Sequence, residues 1–447
     1  MHSKKTIYAL SSGMGKAAIA IYRISGPSAL ESIIKFTKLS HIEPKFMYRG
    51  FLKHPVTGEL IDDAMFVFFK APNSFTGEDL VEIYTHGSIA VHKILTISLS
   101  EMEDLRYAEA GEFARRALLN GKTDLTKIEG LMDLINAETS MQHKQAINQM
   151  QGYLFELCSR WRRELISAMS LVEAYIDFPD EDIPEEVICD TLMLINNIKN
   201  SLENFLQDDR KGERLRSGIT MAIFGKVNAG KSSLMNYLTK RDVSIVSNTE
   251  GTTRDIVESH LDIGGYPIIL IDTAGIRDTD NPVEQEGIKR AIKALDTSDI
   301  KIIIRSIEDE VLDYKDYFDR ENLIFVANKI DLLADESGEH KDSNFHDMPE
   351  IKISVKSEIG LESLINEIIK IASKIAGSND KCVITQERHR ICIKEALNAL
   401  NRVDLTGDLV LAAEDLRLSA RSLLFMIGKI DAENILDNIF SSFCIGK

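Results

Sequence analysis

The first 120 residues alternate short apolar runs with turn-forming residues, a pattern typical of a mixed α+β fold. Breaks at Gly26-Pro27 and Pro72-Asn73 separate these runs, and helical patterns begin at Ser28 and near Ile89. The predicted strands are Thr6–Leu10, Ala18–Ile24, Ala64–Phe69 and Leu80–Tyr84. Residues 1–120 are therefore predicted to form an N-terminal α+β domain.

The apolar period changes to that of a helix after Thr126 and keeps it until about Gln207. An acidic stretch at 177–182 interrupts the tract, and a basic segment at 210–216 is interpreted as a junction to the next domain. Helical periodicity resumes near Ile384 and continues almost to the end. A helical domain is thus predicted in two parts, residues 121–215 and 376–447.

Between these parts, residues 216–375 alternate strand and helix patterns. Such alternation predicts a mainly parallel sheet covered by helices on both faces. The predicted strands are Ile219–Phe224, Ile268–Ile271, Lys301–Ile304, Leu323–Ala327 and Ile351–Ser354, and the predicted helices begin at Lys231, Glu286 and Leu361. The fold class is therefore α/β multidomain, with a Ras-like P-loop G domain inserted into the helical domain.

Net charge, cysteine spacing and the length of apolar runs limit the classes of function that this chain can have. The net charge of −17 argues against a protein that coats nucleic acid nonspecifically, although a local basic patch remains compatible with it. The 5 cysteines are scattered without CxxC spacing, as in a reducing compartment. No apolar run approaches the length of a membrane span. The expected location is the cytoplasm, with no membrane contact.

The segment from Gly225 to Ser232 fits the phosphate-binding pattern GxxxxGK[ST], directly after one predicted strand and at the start of a helix. In such loops the backbone N–H groups cradle phosphates and the lysine offsets their charge. The residues predicted to bind the phosphates are Asn228, Ala229, Gly230, Lys231, Ser232 and Ser233. Lys231 is also predicted to act in catalysis.

Further GTPase motifs follow in order. Asp272 and Gly275 belong to a DxxG motif. The motif Asn328-Lys329-Ile330-Asp331 directly follows the predicted strand Leu323–Ala327. The Asp331 carboxylate can accept hydrogen bonds from guanine N1–H and its 2-amino group, which adenine does not offer. The nucleotide is therefore predicted to be GTP. The residues of these motifs predicted to bind GTP are Asp272, Gly275, Asn328, Lys329, Asp331, Ser354 and Lys356.

One expected residue is absent. Ras-like proteins place a water-orienting glutamine directly after the DxxG glycine, whereas this chain has Ile276. Mg²⁺ is predicted to bind Ser232 and Thr253, with Asp272 acting through water. Oxygen-rich residues 247–255 suit a monovalent cation in place of an arginine finger, or form an ordinary polar loop.

Three segments of the predicted G domain resemble those of a known family. GTTRD at 251–255, DTAGIR at 272–277 and the segment 283–288 are similar to the G domain of the tRNA-modification GTPases called MnmE or TrmE. The resemblance implies that Glu284 orients the attacking water and that K⁺ is bound by residues of the phosphate loop and switch loop. These implied ligands are Asn228, Ser247, Thr249 and Thr252. The last three, with Thr253, are also predicted to contact GTP.

Signatures outside the G domain, from Arg23-Ile24-Ser25-Gly26-Pro27 to the terminal Cys444-Ile445-Gly446-Lys447, extend the resemblance over nearly the whole chain. The family's N-terminal domain is implied to bind a tetrahydrofolate one-carbon derivative. The binding positions carried over are Arg23, Glu82, Lys122 and Lys447, with Cys444 as a reactive thiol of open role. The segment 11–18 and Ser88 depart from the usual family pattern.

The resemblance further implies a K⁺- and Mg²⁺-dependent GTPase that works with an FAD-dependent MnmG-type subunit on tRNA. It would add aminomethyl or carboxymethylaminomethyl groups to C5 of the wobble uridine, as a homodimer that forms a heterotetramer with its partner. Two alternatives stay open, a switch GTPase in ribosome assembly and a folate-dependent transferase with a regulatory G domain. Candidate RNA contacts are Arg160, Arg162, Arg163 and Arg388-His389-Arg390.

Overall fold

The structure is a computed structural model that describes residues 5–177, 185–241, 258–271, 297–309, 322–335, 349–377 and 384–428, together with Phe440 and Gly446. The chain divides into two compact units. One comprises Met1–Met132 with Leu424–Lys447, and the other comprises Asp133–Leu423. In each unit the described residues form a six-stranded sheet.

The sheet of the first unit has the order β3-β4-β5-β2-β1-β6. Neighbouring strands are antiparallel except β1 and β6, which are parallel. The elements are β1 (Thr6–Leu10), β2 (Ala17–Ser25), α1 (Ala29–Thr37), β3 (Met47–Lys53), β4 (Leu60–Phe69), β5 (Leu80–Gly87), α2 (Ile89–Ser100), β6 (Leu105–Tyr107), α3 (Glu112–Leu119) and α4 (Leu125–Asn136).

The two faces of this sheet differ in character. Tyr22, Ile24 and Ile83 are buried on one face in a core that includes residues of α1 and α2. On the other face a smaller cluster packs Ala9 against Phe113 of α3. Because side chains alternate between faces along a strand, Arg23 of β2 and Glu82 and Tyr84 of β5 share this second face.

The second unit carries a sheet of order β12-β11-β10-β7-β9-β8, and among the strands on described residues only the β8–β9 pair is antiparallel. Its core consists mainly of isoleucine and leucine side chains of the strands and of α10. The elements are α5 (Ser140–Met150), α6 (Tyr153–Asp177), α7 (Glu185–Leu206), α8 (Lys211–Ser217), β7 (Ile219–Phe224), α9 (Lys231–Arg241), β8 (Glu258–Ile263), β9 (Tyr266–Ile271), β10 (Ile300–Ser306), β11 (Leu323–Asn328), a 3-10 helix (Ile330–Asp335), β12 (Glu350–Lys352), α10 (Leu361–Ala376), α11 (Glu387–Arg402) and α12 (Leu409–Met426).

Helices that precede the second sheet in sequence pack against helices that follow it, as expected for an inserted nucleotide-binding domain. α7 contacts both α6 and α11. Arg390 of α11 is buried and donates hydrogen bonds to Asp208 at 2.6 Å and to Glu213 at 3.1 Å. A buried and fully engaged guanidinium does not reach RNA, so the prediction of an RNA contact at Arg390 is wrong.

Trp161 of α6 has the core role that its position indicates. Its side chain is buried, its ring packs edge-on against Phe205, and its indole N–H donates a hydrogen bond to Ser201 Oγ at 2.9 Å. Within the described residues, no helix combines the length and the apolar character that a membrane crossing requires.

The predicted strands and helices that fall on described residues are confirmed, but the sequence pattern missed β3, β6 and β8. β3 contains Gly50, which weakens a strand pattern, and β8 begins with three consecutive polar residues at the sheet edge. The basic segment at 210–216, interpreted as a junction to the next domain, contains α8. Its side chains are engaged, since Arg216 pairs with Asp133 at 2.6 Å.

The predicted helix at Glu286 lies outside the described residues. The division into three domains at residues 120, 215 and 375 stays a prediction.

Candidate functional site

The phosphate loop connects β7 to α9, and its glycines are required by close packing. A Cβ on Gly225 would lie 2.0 Å from the carbonyl oxygen of Ile304 in β10. Gly230 has a φ of +100°, and a Cβ there would lie 2.1 Å from Asn328 Nδ2. Any larger residue at either position would push the loop away from the sheet. These contacts explain the glycines of the GxxxxGK[ST] pattern.

The predicted phosphate ligands surround this turn. The Lys231 ammonium donates hydrogen bonds to the carbonyl oxygens of Gly225 at 2.7 Å and Lys226 at 2.9 Å. Ser232 and Ser233 are exposed in the first turn of α9, where N–H groups and the helix dipole favour anions. Asn228 is exposed and has a φ of +64°. The loop therefore presents N–H donors and the Lys231 ammonium group to the phosphates of a nucleotide.

Asn328, at the end of β11, joins two loops of the site. Its Nδ2 donates a hydrogen bond to the carbonyl oxygen of Ala229 at 2.9 Å, and its Oδ1 accepts one from the N–H of Val355 at 3.2 Å. The side chain is buried, as is Ala229. The buried Asn328 side chain thus links the phosphate loop to the segment around Ser354 through hydrogen bonds at both ends of its amide.

Asp331 lies at the start of the 3-10 helix and faces Ser354. The buried Ser354 hydroxyl donates a hydrogen bond to Asp331 Oδ1 at 2.6 Å. This bond, with smaller contributions from Lys356 and Lys329, holds the pKa of Asp331 below its usual range. The carboxylate is therefore ionised and oriented near neutral pH. It retains acceptor positions for a base that offers two N–H donors.

Replacing Ser354 with alanine tests this orientation. We expect GTP affinity to fall by about tenfold, because a hydrogen bond to a charged group contributes roughly 1.5 kcal/mol. Titration with a fluorescent GTP analogue would measure the change. Ser357→Ala is the matched control, since the exposed Ser357 contributes only its backbone N–H to Ser354 Oγ. Wild-type affinity in Ser354→Ala would contradict the assigned role.

The remaining nucleotide and cation residues predicted from the sequence lie outside the described residues. They are Ser247, Thr249, Thr252, Thr253, Asp272, Gly275 and Glu284. Their roles stay predictions.

A second group of polar side chains lies on the polar face of the first sheet. Arg23 of β2 and Glu82 of β5 are direct cross-strand partners, and Arg23 Nε donates a hydrogen bond to Glu82 Oε1 at 2.9 Å. Tyr84, two residues further along β5, donates its hydroxyl to Glu82 Oε2 at 2.6 Å. The Arg23 guanidinium also lies 5.4 Å from the ring centroid of Phe75. The structure therefore brings two of the predicted folate residues together.

The other predicted folate residues are placed less directly. Lys122 is exposed, and its side-chain stem packs against Gly77, where a Cβ would lie 3.0 Å from Lys122 Cγ. Lys447 and Cys444 lie outside the described residues. Gly446, between them in sequence, is placed at the end of β1, where its carbonyl oxygen accepts a hydrogen bond from Ser11 Oγ at 2.8 Å.

The atypical segment at 11–18 is ordered by its own serines. The Ser11 N–H donates to the carbonyl oxygen of Ile21 at 2.7 Å, and Ser12 Oγ accepts from the Ile21 N–H at 3.1 Å. Ser11 and Tyr84 were both missed by the sequence reasoning. The spacing of two residues between Glu82 and Tyr84 was the available signal, because it places both side chains on one face of a strand.

Two family models match successive parts of this chain. A family model described as the GTP-binding protein TrmE N-terminus matches residues 6–122, and one described as the MnmE helical domain matches residues 125–444. The chain is 51% identical over 449 residues to the tRNA modification GTPase MnmE of Rickettsia bellii strain RML369-C, covering 99% of this chain and 100% of the relative. It is 49% identical over 454 residues to the protein of that name from Orientia tsutsugamushi strain Boryong, covering 100% of both.

Proposed function

The chain belongs to the MnmE family of tRNA modification GTPases, and on that premise we propose how its two sites divide the work. The G domain binds and hydrolyses GTP in a K⁺-dependent manner. The N-terminal unit binds a tetrahydrofolate one-carbon derivative. With an FAD-dependent MnmG-type subunit, the protein adds aminomethyl or carboxymethylaminomethyl groups to C5 of the wobble uridine in tRNA.

One observation carries the GTPase part of the proposal: the hydrogen bond from Ser354 that orients the Asp331 carboxylate at the base site and lowers its pKa. An oriented carboxylate can accept both the N1–H and the 2-amino group of guanine. Adenine would leave it desolvated without donors, which costs binding energy. Lys231, at the start of α9, then offsets the charge of the phosphates.

The described residues also suit bound cations. The exposed Ser232 hydroxyl and Asn228 amide oxygen lie on the phosphate loop and its helix, and oxygen donors are the ligands that Mg²⁺ and K⁺ prefer. Ser232 and Thr253 would hold Mg²⁺, and Asn228, Ser247, Thr249 and Thr252 would hold K⁺. Such ions supply positive charge where negative charge develops on the phosphates. Glu284 is proposed to orient the water.

The folate part rests on the Arg23–Glu82–Tyr84 group. A carboxylate fixed on the polar face of a sheet can pair with the amino-pyrimidinone edge of a pterin, and basic side chains such as Lys122 and Lys447 can offset the glutamate carboxylates. The proposed assembly is a cytoplasmic homodimer that forms a heterotetramer with the MnmG-type subunit.

Nucleoside analysis tests the proposed modification. Deleting the gene in its host should remove the C5 substituent from the wobble uridine of tRNA, as measured by mass spectrometry of digested tRNA. Complementation with the wild-type chain should restore it. Unchanged nucleosides would refute the wobble-uridine assignment and favour the ribosome-assembly alternative. If a GTPase-inactive variant restores the C5 substituent in the deletion strain, the result would favour the alternative in which the G domain is regulatory.

Exchange of the monovalent cation tests the proposed hydrolysis mechanism. We expect GTP hydrolysis to slow by at least about tenfold when K⁺ is replaced by Na⁺ at constant ionic strength, because loss of one charge-stabilising group costs a factor of this order or more. GTP affinity measured in both salts separates catalysis from binding. Equal turnover rates in the two salts would remove the cation site from the proposal.

A further inference from the structure

The Glu82 carboxylate is held from both sides. One oxygen accepts a hydrogen bond from Arg23 Nε at 2.9 Å, and the other accepts the Tyr84 hydroxyl at 2.6 Å. Two contacts on different oxygens fix both the position and the rotation of the carboxylate plane. The single bond from Arg23 would leave the carboxylate free to rotate about it, so the second contact from Tyr84 is what sets the plane.

The arrangement leaves capacity for a ligand. An ionised carboxylate has about four acceptor positions, and the two named bonds use one on each oxygen. The Glu82 side chain retains 14% exposure and Arg23 retains 25%, so the group is accessible although largely desolvated. One acceptor position on each oxygen is the complement of a planar heterocycle with two adjacent N–H donors.

Tyr84 is suited to act only as a donor here. Burial, followed by its hydrogen bond to Glu82, raises the pKa of Tyr84 to about 12. The phenol therefore stays protonated over the physiological range and keeps its proton directed to Glu82. A phenolate would repel the carboxylate.

From this geometry we propose that Tyr84 is a positioning residue that orients Glu82 toward the amino-pyrimidinone edge of a pterin. The inference rests on the proposed folate binding and extends it to a residue that acts through the Glu82 carboxylate. Arg23 orients one Glu82 oxygen and Tyr84 the other, so that the two remaining acceptor positions meet the ring N–H and the amino group.

A double-mutant cycle on the full-length chain tests the proposal. Tetrahydrofolate affinity is measured by calorimetry under anaerobic conditions for wild type, Tyr84→Phe, Glu82→Gln and the double variant. We expect Tyr84→Phe to bind about tenfold more weakly. In the Glu82→Gln background the same substitution should have no further effect, because its action passes through the carboxylate.

Two controls separate orientation from a structural role. Tyr48→Phe removes another phenol of this sheet, one that accepts the Glu43 N–H at 2.9 Å and stacks on Phe66 in the opposite core, and it should bind as wild type. The ligand p-aminobenzoylglutamate lacks the pterin ring, and Tyr84→Phe should bind it as tightly as wild type does.

The outcomes are distinct. Wild-type affinity in Tyr84→Phe, or an equal loss with and without Glu82, would overturn the role of Tyr84 while leaving folate binding intact. Equal weakening of tetrahydrofolate and p-aminobenzoylglutamate would also overturn it. A wild-type chain that binds no tetrahydrofolate would refute the folate proposal itself and this inference with it.

Discussion

Replacing Asp331 with asparagine is expected to weaken GTP binding by roughly 100- to 1000-fold and to create affinity for xanthosine triphosphate. The carboxylate offers two acceptors to guanine, whereas the amide offers one acceptor and one donor. The amide N–H would oppose the guanine 2-amino group, but it would pair with the C2 carbonyl of xanthine. The lowered pKa of Asp331 means that the wild-type residue is charged when it binds.

Competition between the two nucleotides measures this switch. The dissociation constants of GTP and xanthosine triphosphate would be determined for wild type, for Asp331→Asn and for the control Glu358→Gln, which neutralises an exposed acid on the neighbouring loop. The control should keep wild-type preference. An Asp331→Asn variant that loses both nucleotides alike would indicate a misfolded base site, and one that still prefers GTP would contradict the assignment of Asp331.

Replacing Glu284 with alanine is expected to lower the GTP hydrolysis rate by about 100-fold or more while GTP affinity stays within about threefold. Its role is implied by the family resemblance, in which this acid replaces the water-orienting glutamine that Ile276 cannot supply. Loss of a group that acts on the attacking water affects the chemical step and leaves ground-state binding intact.

Single-turnover hydrolysis and equilibrium titration together decide this prediction. Glu286→Ala is the matched control, because it removes a second acid of the same segment and should hydrolyse GTP normally. A parallel loss of affinity and rate in Glu284→Ala would assign the residue to binding or structure. Normal turnover would leave the source of water activation in this chain to be found elsewhere.

Much of the fold was predictable because its elements have strong local patterns. β1, β7, α9 and α10 begin where the apolar runs and helix starts place them. The patterns were less informative at sheet edges, where β3 and β8 are only half covered and tolerate polar residues or a glycine. An edge strand is defined by its partner as much as by its own side chains.

In the candidate sites, too, a contiguous motif was predictable and contacts between residues far apart in sequence were not. The motif around Lys231 is contiguous, so its chemistry can be inferred from spacing alone. The contact of Ser354 with Asp331 joins residues 23 positions apart, and that of Ser11 with Gly446 joins residues 435 apart. Tyr84 is only two positions from Glu82, but the direction of its hydroxyl is what assigns it a partner.

By itself, the order of residues determined the nucleotide class and the type of sheet, because phosphate loops and alternating strands depend on short-range geometry that each segment carries. It also contained the motifs by which the chain resembles its family. The tertiary structure alone decided which polar groups satisfy one another. Burial forces a polar atom to find a partner wherever the chain brings one. Buried Arg390 finds its partners among acidic side chains, and the largely buried Glu82 carboxylate finds an arginine on one side and a tyrosine on the other.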